Sequence, residues 1–166
     1  MKVFFNKGPQ VRADLEEAGA ECYMPMHTVI EDRGGRRHKI VRPLVSSLLF
    51  FRCAPDRVPA MAAAAGSRAM LYTRTDSTRR EPAPIPDREM QIFRIVTSGE
   101  AEGLEFFDDT SDRFRAGRTV RVTGGPLAGA EGHIVRIRGD RRLVVSIRGV
   151  CAVATTYIPQ CFLETI

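Results

Sequence analysis

Side chains that could carry out chemistry are present in this sequence but do not come together. His27, His38 and His133 have no partner at metal-ligand spacing, and Cys22, Cys53, Cys151 and Cys161 form no Cys-x-x-Cys pair. Neither a zinc site nor a redox motif is therefore supported, and the cysteines are expected to be reduced and mostly structural. No serine occupies a nucleophile elbow. The glycine-rich GGPLAG at 124–129 lacks the Lys-Ser/Thr that completes a Walker-type phosphate loop. Asp108 and Asp109 stand side by side in an acidic stretch without periodicity, where a solvated pair is expected rather than acid–base work. No catalytic constellation, metal or cofactor is implied, and the expected activity is binding.

The residue type that does cluster is arginine. From Phe114 onward there are eight arginines against three acids, which accounts for the whole net charge of +5, while the first 113 residues hold 17 basic and 17 acidic side chains. This asymmetry suits a small module facing RNA, DNA or an acidic protein surface, and it equally suits a small β domain kept soluble by its outward faces. Arg138, Arg141 and Arg142 crowd one turn of that segment and are candidates for nucleic-acid contact. A second basic group, Arg33, Arg36, Arg37 and Lys39, surrounds Gly34-Gly35. Such a tip can meet the phosphates of a nucleic acid strand or simply be solvated.

The elements that must position these groups follow from periodicity and punctuation. KVFF reads as a short strand and PQVRADLEEAG as an amphipathic helix, with Pro9 in its first turn, Val11 and Leu15 four apart, and Gly19 as its stop. ECYMPM begins a second strand. HTVIEDRGGRRHKIVRP alternates on both sides of Gly34-Gly35 and predicts a hairpin with a basic tip. LVSSLLFFRC, the most apolar run, predicts a central strand buried on both faces. DRVPAMAAAAGSR and IPDREMQIFRIVTSG predict two further helices. Residues 100–113 turn acidic and read as a linker. Beyond them only strand signals remain, at Thr119–Thr123, His133–Arg138, Leu143–Arg148 and Cys151–Ile158, with turns at Gly139-Asp140 and Gly149. The expected architecture is α+β: a domain over 1–99, a linker over 100–113 and a small β-barrel of about five strands over 114–166. With no run of about 18 apolar residues and no signal-peptide pattern, the chain is expected in the cytoplasm and off the membrane.

The segment GRTVRVTGGPLAGAEGHIVRI resembles the KOW motif of transcription elongation factors and ribosomal proteins. Gly117, Val120, Val122, Gly124, Gly125, Pro126, Gly129 and Gly132 carry that resemblance in order. RRHKIVRPLVSSLLFF followed by REPAPIPDREM resembles the N-terminal domain of the NusG family, and the resemblance spans nearly the whole chain. RPLVSSLLFF, REPAPIPDREMQIF and DRRLVVSIRGVCAVATTYIP are most similar to the UpxY-type specialised paralogues of that family, associated with antitermination in capsular polysaccharide operons.

The resemblance implies a NusG N-terminal-like α/β sandwich joined by a linker to an SH3-like KOW barrel. It implies a monomer that binds the clamp helices of RNA polymerase and contacts non-template DNA or nascent RNA, with no enzymatic activity. The docking surface it implies is Leu44, Val45, Ser46, Ser47 and Leu48, in which Val45 and Leu48 align with the family's aromatic contact residues and the serines replace a Pro-Gly. General NusG proteins carry an aromatic residue in the barrel loop that here holds Gly149 and Val150. Its absence implies weak engagement of the termination factor or ribosomal protein that this loop otherwise binds. The KOW resemblance alone is also compatible with an RNA-binding protein associated with the ribosome.

Overall fold

The computed structural model describes residues 1–76, 79–98, 103–107 and 117–166. The chain forms two compact units, Met1–Ala83 and Pro84–Ile166.

In chain order the first unit contains β1 (Lys2–Val3), α1 (Gly8–Glu17), β2 (Glu21–Tyr23), β3 (Met26–Arg33), β4 (Arg36–Pro43), β5 (Phe50–Arg52), α2 (Val58–Ala65), β6 (Ala69–Met70), β7 (Thr73–Asp76) and β8 (Arg79–Pro82). The strands pair antiparallel in twos: β1 with β6, β2 with β5, β3 with β4 and β7 with β8. Helix α1 carries Pro9 in its first turn, where a missing N–H costs nothing. Val11 and Leu15, one turn apart, are fully buried together with Leu49, Met61 and Ala65. Helices α1 and α2 are tied by Arg68, which pairs with Asp14 at 2.5 Å and donates to the carbonyls of Ala64 and Ala65 at the end of α2.

The second unit contains α3 (Asp87–Ser98), β9 (Glu105–Phe107), β10 (Arg118–Val122), β11 (Glu131–Ile137), β12 (Asp140–Ile147), β13 (Cys151–Ala154) and β14 (Leu163–Thr165). Its strands make one antiparallel sheet of order β14-β10-β11-β12-β13-β9. Directly opposed residues share a face, so Val120, Leu143, Val145 and Val153 line one side, and all four are buried. Phe93 of α3 is fully buried in this unit, with its ring edge-on to Phe106 of β9 at 6.3 Å between centroids. Burial of a phenylalanine is worth roughly 2–3 kcal/mol, which is why the helix belongs with this sheet.

Three expectations change. Helix α3, assigned by sequence to the first domain over 1–99, lies in the second unit with the sheet. Part of the segment read as a linker over 100–113 supplies edge strand β9, because Phe106 and Phe107 follow the alternation that β13 requires. The apolar run from Leu44 is a strand only at Phe50–Arg52, since its serines sit in a turn.

Candidate functional site

The β3–β4 hairpin is registered without a break from Met26 opposite Pro43 to Arg33 opposite Arg36. Its two-residue turn needs positive φ at both positions. Gly34 and Gly35 supply it at φ 64° and 81°, and the Gly35 N–H donates to Asp32 Oδ1 at 2.8 Å. Met26, Thr28, Ile30 and Asp32 share one face with Arg37, Lys39 and Val41, and all seven are open to solvent, Ile30 by 63% and Val41 by 62%. Glu31 takes Arg33 at 3.1 Å and also Arg42. Of the four cations expected at this tip, Arg33 is therefore partly neutralised. Arg36, Arg37 and Lys39 are exposed, with no ion-pair partner among the described residues.

The segment expected to dock on a helical partner is built differently from the strand its composition suggested. Leu44 N–H donates to the Pro25 carbonyl at 2.7 Å, Leu48 N–H to Val45 O at 3.2 Å, and Val3 N–H to Ser47 O at 2.8 Å. These bonds hold Leu44–Ser47 as a turn against β1. Leu48 is only 3% exposed and bridges to Lys2, so it is a core residue and cannot form half of an exposed aliphatic pair. Ser46 is exposed, and Leu44, Val45 and Ser47 are half-buried.

The glycine-rich loop joins β10 to β11. Gly129 N–H donates to Val122 O at 2.8 Å and Val122 N–H to Ala130 O at 2.9 Å, closing the loop on itself. Gly132 lies so close to β12 that a Cβ there would collide with the Val144 carbonyl. A Cβ on Gly124 would come within 2.9 Å of the Phe162 ring. Phe162 joins Pro126, Leu127, Tyr157 and Pro159 around an apolar groove of about 280 Å³. Gly125 and Pro126 thus shape a groove wall, and no described group in the loop is arranged for catalysis.

The arginines of this unit divide into two sets. Arg138 and Arg142 both reach Glu105, each at 3.0 Å. Arg121 and Arg88 both reach Glu131, at 2.9 and 2.7 Å. Hydrogen bonds from Arg121, then from Arg88, hold the Glu131 carboxyl below its ordinary range. Arg141, grouped by sequence with Arg138 and Arg142, faces the other way, opposite Arg136. The turn consists of Arg138 and Gly139, at φ 51° and 93°, one residue earlier than Gly139-Asp140. That shift separates the three arginines and brings in Arg136 and Arg118, which composition and spacing do not single out. Among the described residues no group of three or more His, Cys, Asp or Glu could hold a metal ion, and no helix is long and apolar enough to cross a membrane.

A protein of this build, with a small α/β unit bearing a basic hairpin and a sheet unit organised around a glycine-rich loop, can be compared with known families. A family model described as "Transcription termination factor nusG" matches residues 1–94. The chain belongs to the NusG family. The transcription termination/antitermination protein NusG of Yersinia pestis is 28% identical over 137 residues, covering 81% of this chain and 71% of the relative. The Pseudomonas aeruginosa protein of the same name is 26% identical over 138 residues (81% and 73%), and that of Vibrio cholerae is 28% identical over 136 residues (80% and 70%).

Proposed function

We propose that this chain is a non-enzymatic transcription termination/antitermination factor that binds RNA polymerase and promotes processive elongation of particular operons, of the capsular polysaccharide type. The observation that carries the reading is the NusG-family match across residues 1–94, which contain the basic hairpin. In this reading the first unit docks on the polymerase clamp helices through Leu44, Val45 and the exposed serine beside them, with Leu48 supporting the turn from within. The hairpin then extends Arg36, Arg37 and Lys39 toward the non-template strand, where phosphate contact stabilises an open bubble without reading much sequence. The second unit acts as an SH3-like KOW module. The chain works as a monomer in the cytoplasm.

The test is retention of RNA polymerase by the tagged full-length protein, combined with read-through of a terminator in a reporter operon. The expected result is co-purification of polymerase subunits and increased read-through. Failure to retain polymerase, with co-sedimentation on ribosomal subunits instead, would replace this reading.

A further inference from the structure

We infer that Arg118, Arg136 and Arg141 form a phosphate-binding row on the second unit, which takes the sugar-phosphate backbone of a single-stranded nucleic acid. Arg136 and Arg141 are directly opposed across β11 and β12. Arg118 is opposed to Ile134, the residue two before Arg136, and so lies diagonally next to it on the same face. Three adjacent strands thus present one guanidinium each over a span of about 10 Å. All three residues are exposed, and none has an ion-pair partner among the described residues.

Three of the unit's described acids are engaged by other arginines. Glu131 is held by Arg88 and Arg121, Glu105 by Arg138 and Arg142, and Glu164 lies 3.9 Å from Arg121. Asp140 is opposed to Ile137, on the reverse face. Like charges directly opposed across a sheet repel. The Arg136–Arg141 pair is therefore unfavourable in the free chain and relieved by an anion between the two strands. Helix α3 contacts the other end of these strands, through Arg88 to Glu131 and Glu89 to the Arg148 N–H, and leaves this end open. Arginine is the only cationic side chain type from residue 84 onward apart from His133, and its planar fork matches phosphate oxygens in pairs.

The inference deepens the proposed function and rests on it for the source of the nucleic acid near the protein, so polymerase retention is measured on the same variants. Binding of the full-length protein to one labelled sequence, as single-stranded RNA and as single-stranded DNA, is followed by anisotropy over a KCl series. Arg118→Gln/Arg136→Gln/Arg141→Gln is expected to reduce the log–log salt slope by about 2, from roughly 0.7 for each phosphate no longer neutralised. Arg138→Gln/Arg142→Gln should leave the slope unchanged, because those side chains are committed to Glu105. Arg136→Gln alone should raise the melting temperature while flattening the slope, two opposite effects that a merely structural residue would not give. Stronger binding of one labelled strand identifies RNA or DNA as the source.

A wild-type slope in the triple variant overturns the row, as does an equal reduction in Arg138→Gln/Arg142→Gln. Displacement of the labelled strand by polyglutamate as readily as by unlabelled strand would assign the row to an acidic protein surface and also overturn it. Absence of RNA polymerase retention in the wild-type protein, with the salt slopes as expected, would remove the proposed function and leave the row intact.

Discussion

Leu48 and Val45 stand three residues apart in one apolar run and have opposite fates, which makes them the clearest single-residue test of the first unit. Leu48→Ala removes a buried side chain and is expected to cost about 2–4 kcal/mol, read as a lower denaturation midpoint of the first unit. Val45→Glu places its charge at a half-buried turn position, so the circular dichroism spectrum and melting should change little while polymerase retention falls at least about tenfold, as at a binding hot spot. Unchanged retention would move the docking surface elsewhere. The sequence could not separate these two residues, because an apolar run looks the same whether it enters a strand or rounds a corner. The serine pair was the available signal, since serine hydroxyls favour turns. Glu131 offers a second test. Its folded-state pKa is depressed, so the stability it contributes is present above the ordinary carboxyl value of about 4.5 and is lost as pH falls through the lower folded value. Glu131→Gln should therefore flatten the acid limb of the stability–pH curve by about 1 kcal/mol or less, because the Arg88 partner is largely exposed.

At the scale of elements, the β3–β4 hairpin was legible because alternation, a Gly-Gly pair and the two-residue loop all agree. The β11–β12 hairpin was legible as an element but not in register. Placing the turn on Gly139-Asp140 instead of Arg138-Gly139 changes every cross-strand partner, and this made Arg138, Arg141 and Arg142 look like one cluster. The cause is that Arg138 adopts a left-handed φ that non-glycine residues seldom take. The glycine-rich loop was legible for the opposite reason, since backbone proximity at Gly132 and the closeness of Gly124 to Phe162 leave no space for side chains. Gly132→Ala is accordingly expected to destabilise the second unit by about 1–3 kcal/mol, through its clash with the Val144 carbonyl. A melting temperature unchanged from wild type would mean that β11 and β12 part easily at this point.

For the whole molecule, the sequence indicated two units and a basic C-terminal part, with the first domain ending at residue 99, whereas the compact units divide after Ala83. A helix beginning at a Pro-x-Pro segment reads equally well as the end of one domain or the start of the next, and only the partner of Phe93 decides. Phe93 faces Phe106, Arg88 pairs with Glu131, and Ile95 approaches Gly129, all within Pro84–Ile166. The family match, in contrast, runs to residue 94 and ends inside this helix. The two boundaries make different fragments the autonomous folding unit. If α3 and β9 complete the sheet, residues 84–166 should unfold cooperatively by circular dichroism and calorimetry. Residues 114–166, which lack Phe93 and Phe106, should melt lower and bind a hydrophobic dye. In the full chain, Phe93→Ala should lower the transition of the second unit by about 3–5 kcal/mol and leave that of the first in place. If residues 114–166 melt as high as residues 84–166, α3 is not required by the sheet. A drop in the first unit's transition would instead assign the helix to the first unit, where its sequence alone would put it.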